Sequence, residues 1–252
     1  MRAAIFIDGG YVQSQFRYNK IDPDYEEFAD YFLAPARENV SIDLLRCYYY
    51  YCAPYMSPEP TESELKRMET HSEFVDEIEN LDRWSMRLGK LEKRWDGKKE
   101  YFEQKRVDVL LSVDFVRHAA AGHIQHAVLV AGDSDFVPAV EAAKEHGVTV
   151  SLWCGKYKTV HKDLISVCDE VHSFQWNEFP RINGPEKNSQ RDHHQKQPKQ
   201  RGQSKQGSSG RPQSNRNQNQ RKRRHEKKAA RKEAATDQDK ESWASRFKKF
   251  WD

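Results

Sequence analysis

Long apolar runs, closely spaced cysteines and a leader-like amino terminus are all missing from this sequence. No apolar stretch approaches the ~20 residues that cross a bilayer as a helix, so we expect no stable membrane insertion. Met1 leads almost at once into the strand-like run Ala3–Ile7, and we therefore expect no secretory signal peptide. The 4 cysteines form no CxxC pair, which favours buried thiols in a reducing compartment over disulfides or zinc ligands. These absences predict a cytoplasmic protein.

Large apolar residues are also scarce after Ile182, where lysine and arginine are abundant. Residues 183–252 hold 20 Lys and Arg against 8 Asp and Glu, a net charge of +12, whereas residues 1–182 hold 22 against 31, a net of −9. A segment so polar and so charged cannot bury a core. We therefore predict a folded domain over 1–182 and a disordered basic tail over 183–240, rich in Gln, Asn, Ser, Lys and Arg. Such a tail would attract RNA phosphates that the acidic domain repels.

The last residues, 241–252, break this polar composition. Trp243, Phe247, Phe250 and Trp251 are spaced so that they share one face of a helix. A short amphipathic helix of this kind is marginal alone, and we predict that it docks into a groove of a protein partner. A membrane surface, the chain's own domain and a frayed end without a partner are the alternatives.

Short β-branched runs alternate with helical periodicity over residues 1–182, which is typical of βα units that build a mostly parallel sheet. The predicted strands are Ala3–Ile7, Leu44–Tyr51, Ser85–Leu91, Ala127–Ala131, Val148–Trp153 and Glu170–Phe174. The predicted helices are Tyr25–Glu38, Thr61–Leu81, Asp108–Gly122, Phe136–His146 and Val160–Cys168. A small hairpin or loop is expected around Asp96-Gly97.

Three aspartates follow two of the predicted strands at their carboxyl ends. Asp8 comes directly after the first strand, and Asp133 and Asp135 follow the fourth strand where a helix begins. In open α/β sheets, ligands bind outside the carboxyl ends of the strands, so these aspartates are candidates for one site. Gly9 and Gly10 allow the backbone to turn there and a ligand to approach closely.

Two further aspartates lie on the helix that leads into the fourth strand. Asp108 opens this helix and should reach the same edge of the sheet. Asp114 lies about 240° further around the helix, so both can point at one ion only if Asp108 acts from the cap. Other interpretations remain open: Asp108 or Asp135 alone is consistent with a helix N-cap, and Asp114 with an ion pair to Arg117 on a solvated face.

Carboxylates that converge in one place repel one another and take up protons unless a cation compensates. Mg²⁺ or Mn²⁺ supplies that charge, because hard ions prefer oxygen ligands. A metal held in this way activates water and stabilises in-line attack on a phosphodiester. The aspartates therefore predict a divalent-metal site.

Three blocks carry these aspartates: IFIDGG at 5–10, KRVDV at 105–109 with Asp114 beyond it, and LVAGDSDFVP at 129–138. Together they resemble the signature blocks of NYN domains of the LabA/DUF88 group, relatives of PIN-domain nucleases. The resemblance runs from about Arg2 to Phe174 and does not include the tail. The chain departs from the family pattern at Tyr11, where the family usually has Asn.

The resemblance implies a three-layer α/β/α sandwich with a mostly parallel sheet, a Mg²⁺ or Mn²⁺ site and RNA hydrolysis. By matching position, the catalytic and metal-binding acids are Asp8, Asp108, Asp133 and Asp135, with Asp114 as a fifth metal-ligand candidate. By the same matching, Gly9, Gly10, Lys105 and Ser134 are expected to contact the substrate.

Histidines and tyrosines suggest two other kinds of site. His118, His123, His126 and His161 have no cysteines at ligand spacing, so we expect surface or helix-end positions rather than zinc binding. The run Tyr48–Tyr51 could stack bases, but alternation in a strand would bury half of it, which favours core packing.

Three functions compete. The leading hypothesis is a metal-dependent ribonuclease that cuts single-stranded RNA and recruits it through the tail. The second is a non-catalytic NYN-fold regulator that binds RNA or a protein partner. A phosphatase that uses an aspartate nucleophile is disfavoured, because Asp8 is followed by Gly9-Gly10 and not by the Asp-x-Asp pattern of that chemistry.

Overall fold

A computed structural model of the chain describes residues 1–38, 40–97 and 99–182. The predicted tail, 183–240, and the predicted aromatic helix, 241–252, lie outside these residues. Among the helices that are described, none is both long enough and apolar enough to cross a membrane.

In the part of the chain that the structure describes, seven strands form one sheet in the order β4-β3-β2-β1-β5-β6-β7. Every neighbouring pair is parallel except β3 and β4, which pair antiparallel, so the prediction of a mostly parallel sheet is confirmed. The central strands are buried on both faces, as their nearly continuous apolar sequences require. The strands are β1 Arg2–Asp8, β2 Asp43–Cys52, β3 Trp84–Trp95, β4 Glu100–Lys105, β5 His126–Val130, β6 Thr149–Cys154 and β7 Glu170–Ser173.

Helices cover both faces of this sheet and complete the three-layer α/β/α sandwich. One core joins the sheet to α4, α5 and α6 through residues such as Phe115, Val140 and Leu164, and a second core joins it to α1, α2 and α3 through Phe16 and Phe28 among others. The helices are α1 Gly9–Asn19, α2 Phe28–Arg37, α3 Glu62–Glu79, α4 Val107–Ala120, α5 Val137–Glu145 and α6 Lys162–Val167.

One helix was missing from the prediction. α1 begins at Gly9, directly after β1, where two glycines and a polar sequence suggested only a turn. Val12 and Phe16 form its short apolar stripe, and both are buried against the sheet. The expected hairpin around Asp96-Gly97 is confirmed, but β3 runs four residues further than predicted and makes the hairpin a projecting arm.

The tyrosine run of β2 is more deeply buried than strand alternation predicted. Tyr48, Tyr49 and Tyr50 are all buried, because both faces of β2 are covered, and only Tyr51 is partly exposed. The preference for core packing over base stacking therefore holds, but the reason is a two-sided core and not alternation. The four cysteines are free thiols, three of them buried, as predicted.

Candidate functional site

Asp8 ends β1 and caps α1. Its carboxylate accepts hydrogen bonds from the backbone N–H groups of Tyr11, at 3.1 Å, and of Gly10. The pKa of Asp8 is raised to about 6. Burial is the main cause, the nearby carboxylates of Asp108 and Asp133 add to it, and the two hydrogen bonds act in the opposite direction. Asp8 is thus a largely buried acid whose neighbours oppose its ionisation.

The turn after β5 places two more aspartates at the same edge. Asp133 caps a 3-10 turn, Ser134–Phe136, that runs directly into α5. Its Oδ1 accepts from the Asp135 backbone N–H at 3.1 Å and from the Ser134 hydroxyl at 3.5 Å. The Gly-Asp-Ser-Asp block therefore forms a helix-initiating turn that fixes the carboxylate of its first aspartate.

Asp108 approaches these acids from α4, where it lies in the first turn. Burial raises its pKa, and the carboxylates of Asp133 and Asp135 raise it further. The structure therefore brings together four of the five predicted acids, although they come from three separate elements: Asp8 from β1, Asp108 from α4, and Asp133 and Asp135 from the turn after β5. Repulsion within this group, called here the acid cluster, adds to the effect of burial in raising the pKa of Asp8 and of Asp108.

Asp114, the fifth predicted acid, contacts residues outside the acid cluster. Its Oδ2 accepts from the Tyr50 hydroxyl and from Arg87 Nε, each at 3.1 Å, and its Oδ1 accepts from Arg117 at 2.8 Å. Both carboxylate oxygens are thus occupied by protein groups. The interpretation as a pair with Arg117 is partly correct, but Asp114 is buried and also binds β2 and β3, so it does not lie on a solvated face.

The predicted substrate contacts have more local roles in the structure. A Cβ atom on Gly9 would lie 2.5 Å from the Tyr50 carbonyl oxygen, so glycine is needed there for α1 to pack on β2. The Gly10 N–H donates to Asp8, and the Ser134 hydroxyl to Asp133. Lys105 is the last residue of β4, and the structure does not describe its side chain.

The acid cluster offers carboxylate oxygens, which are the ligands that a hard divalent cation prefers. Within the described residues, no group of three or more His, Cys, Asp or Glu side chains is placed so that it could hold a metal ion. Mg²⁺ commonly uses only one or two carboxylates and completes its shell with water and phosphate oxygens, so a looser group of acids suits it. The raised pKa values of Asp8 and Asp108 show charge repulsion that a cation would relieve.

In a comparison with protein families, the NYN domain matches residues 2–176. The chain belongs to the NYN domain family. No curated protein matches the chain. A crystal structure of a protein of unknown function from Vibrio parahaemolyticus RIMD 2210633 is similar at 19% identity and a TM-score of 0.46, over 69% of this chain and 92% of that one.

Tyr11 links three strand ends in this NYN domain. Its hydroxyl accepts from the Gly155 backbone N–H at 2.8 Å and lies 3.2 Å from Thr159 Oγ1, both in the loop after β6. Its ring fills the space beside Gly132, where a Cβ would lie 2.4 Å from the ring. The sequence marked Tyr11 only as a departure from the family pattern. The structure shows a side chain that packs the loops after β5 and β6 against the start of α1.

The expectation of surface or helix-end histidines is wrong at one position, His126. His118 and His126 are buried, and His126 Nε2 lies 3.0 Å from the Ser151 hydroxyl. His126 lies on the same face of β5 as Val128, which packs in the second core, and periodicity alone did not reveal that this face is covered. His118 lies in the last turn of α4, so it is a helix-end histidine although it is buried. His161 caps α6, as a helix-end histidine should.

The pKa of Asp8 leads to a prediction about the metal-free domain. Because the folded-state pKa is raised from 3.8 to about 6, the ionised carboxylate destabilises the fold, and this effect develops as the pH rises from about 4 to above 6. Asp8→Asn should therefore stabilise the protein in EDTA at about pH 7, by up to about 3 kcal/mol, and should have little effect at about pH 4. Thermal unfolding at both pH values measures this.

A matched control is Asp24→Asn, because Asp24 caps the 3-10 turn before α2 in the same way and lies outside the acid cluster. Asparagine caps nearly as well as aspartate, so neither substitution should weaken its cap. An equal gain in stability at both pH values would contradict the assigned repulsion.

Proposed function

We propose that this NYN domain is a metal-dependent ribonuclease that hydrolyses phosphodiester bonds of single-stranded RNA. The NYN family is nuclease-like. The single observation that carries the proposal is the acid cluster at the carboxyl edge of the sheet, where burial and neighbouring carboxylates from three elements raise the pKa of Asp8 and of Asp108. A purely structural role gives no reason to gather such charges.

The surroundings of the acid cluster favour a phosphate ligand once the acids are neutralised. α1, α4 and α5 all start near it, since Asp8 caps α1, Asp108 lies in the first turn of α4, and the turn capped by Asp133 leads into α5. Helix amino termini carry partial positive charge and attract phosphate groups. The edge thus combines acids for a cation with helix ends for the substrate backbone.

The proposed roles follow from this arrangement. Asp8, Asp108, Asp133 and Asp135 would hold Mg²⁺ or Mn²⁺, which when bound compensates phosphate charge and activates water. Asp8 and Asp133 are held in place by backbone N–H groups of the turns that they cap. In the hydrolysis, water adds to phosphorus, one P–O bond of the backbone breaks, and the departing oxygen takes a proton.

We further propose that the basic tail, 183–240, recruits RNA and that the aromatic segment, 241–252, docks into a protein partner. Both segments lie outside the described residues. Membership of the LabA/DUF88 group is also proposed, on the three sequence blocks. A reducing, cytoplasmic location is supported by the four free thiols.

The test is incubation of the full chain with labelled single-stranded RNA in Mg²⁺, Mn²⁺ or EDTA. We expect cleavage with at least one of the two ions and none in EDTA, because the acid cluster cannot neutralise phosphate charge alone. Cleavage that persists in EDTA would contradict a metal mechanism. RNA binding without cleavage in either ion would favour the non-catalytic regulator.

A further inference from the structure

The β3–β4 hairpin forms an arm that leaves the sheet on the side of the acid cluster. Among the described residues, β3 pairs with β2 over Trp84–Gly89 and then continues over Lys90–Trp95, where it pairs with β4 alone. Since β3 is parallel to β2 and β1, this extension points beyond the carboxyl ends of the strands, by roughly 20 Å for six residues. β4 returns along the arm and leads directly into α4, where Asp108 lies in the first turn.

The arm is basic in an otherwise acidic domain. Residues 90–105 hold 6 Lys and Arg against 4 Asp and Glu, a net charge of +2, whereas the rest of residues 1–182 has a net of −11. Two of these cations, Lys93 and Arg94, form ion pairs with Glu100 and Glu92 on the surface of the arm. Exposed ion pairs of this kind are weak, so phosphate groups can replace the carboxylates.

The arm also carries exposed aromatic rings. Trp95 is 64% exposed and Tyr101 is 43% exposed, whereas Trp84 and Trp153 are buried in the second core. A two-stranded hairpin is marginal in water, and large aromatic rings that stay exposed on its surface are candidates for contact with a ligand. Aromatic rings beside cations are the combination that binds single-stranded nucleic acid, because bases stack on the rings and phosphates meet the charges.

Strand alternation selects one face of the arm. Arg87, Lys93 and Trp95 are separated by even numbers of residues along β3 and so lie on the same side of that strand. Arg87 binds Asp114 of α4, so this side of β3 is the one on which α4 packs. Tyr101 pairs with Arg94 in the ladder and therefore lies on the opposite side.

We infer that the arm is the platform on which single-stranded RNA enters the site, with a base stacked on Trp95 and a phosphate near Lys93. This inference rests on the proposed function, since it assigns the substrate contact of the same acid cluster. RNA bound in this way runs from the tip of the arm toward its base, where Asp108 begins α4. The bases must be unpaired, because a duplex keeps their faces inside its own stack.

Binding is measured on the full chain in EDTA, by fluorescence anisotropy with a labelled short oligouridine, so that cleavage plays no part. Trp95→Ala should weaken binding about tenfold, as expected for the loss of one stacked base. Lys93→Gln should reduce the slope of log affinity against log salt by about 0.7, the value for one phosphate contact on a single strand. Neither variant should bind duplex RNA differently from the wild type.

Two aromatic controls make the test specific. Tyr18→Ala removes a ring that is 84% exposed on α1, and it should leave binding unchanged. Tyr101→Ala removes the ring on the opposite side of the arm, and it should weaken binding less than Trp95→Ala does. Each residue is exposed, so the melting temperatures of all variants should match that of the wild type.

The outcomes separate this inference from the proposed function. Equal affinity in Trp95→Ala and wild type would overturn the platform, even if the wild type cleaves RNA. A loss in Tyr101→Ala but not in Trp95→Ala would overturn the assigned face. If Trp95→Ala binds weakly while the wild type never cleaves, the platform stands and the nuclease proposal fails.

Discussion

Asp8→Asn and Asp133→Asn are each expected to lower metal-dependent RNA cleavage by roughly 100- to 1,000-fold. Metal ions contribute several kcal/mol of transition-state stabilisation, and each 1.36 kcal/mol corresponds to a tenfold change in rate. Asparagine keeps the shape of aspartate but not the negative charge that holds a hard cation. Both residues are N-caps, and asparagine caps as well, so the fold should remain intact. The measurement is the single-turnover rate on labelled RNA in Mn²⁺.

The control for this series is Asp22→Asn. Asp22 is exposed and follows the carboxyl end of α1, the far end of the helix that Asp8 caps. This variant should cleave at the wild-type rate, and its parallel purification tests for contaminating nuclease. Wild-type rates in both Asp8→Asn and Asp133→Asn would show that the acid cluster is not the site.

Asp114→Ala is expected to destabilise the domain by about 3 kcal/mol, a fall in melting temperature of roughly 10 °C. The substitution leaves the buried Tyr50 hydroxyl without its acceptor and removes the carboxylate shared by Arg87 and Arg117. The arginine side chains are 37% and 57% exposed, so solvent recovers part of their loss, which keeps the effect below that of a fully buried pair. Thermal and denaturant unfolding in EDTA measure it.

Asp30→Ala is the matched control for Asp114→Ala. Asp30 also pairs with an arginine, Arg37, but the carboxylate is 77% exposed, and the loss should be below about 1 kcal/mol. Mn²⁺ should raise the melting temperature of Asp114→Ala as much as it raises that of the wild type. The ion stabilises the fold by binding the native state and not the unfolded chain, and this binding should not require Asp114. Loss of the Mn²⁺ effect in Asp114→Ala would indicate that Asp114 is a metal ligand.

The sheet and the four acids of the cluster could be predicted because both follow from the order of strands, turns and helices along the chain. Apolar strands followed at once by Asp8 and by Asp133 place those aspartates at strand ends whatever the packing of the helices. Asp108 was predicted from its place at the start of a helix that must return to that edge. Local order along the chain was sufficient in each case.

The errors concern contacts between distant parts of the chain. Arg87 precedes Asp114 by 27 residues, and no periodicity indicates that these two side chains meet. Tyr11 bonds to a loop 144 residues further along, so its packing role was invisible as well. α1 was missed because its apolar stripe is short and its first two residues are glycines, which propensity assigns to turns.

The central position of β1 constrains the order in which the protein folds during synthesis. β1 leaves the ribosome first and can pair with β2 early, but its other neighbour, β5, begins more than 100 residues later. Until then one edge of this buried, apolar strand has no partner, and an unpaired edge of this kind invites aggregation. Closing such a distant pair is slow, because the loop entropy is lost before the contacts form. The acids on β1 and after β5 therefore meet only at that late step, so a nascent chain that ends before β5 has no assembled acid cluster.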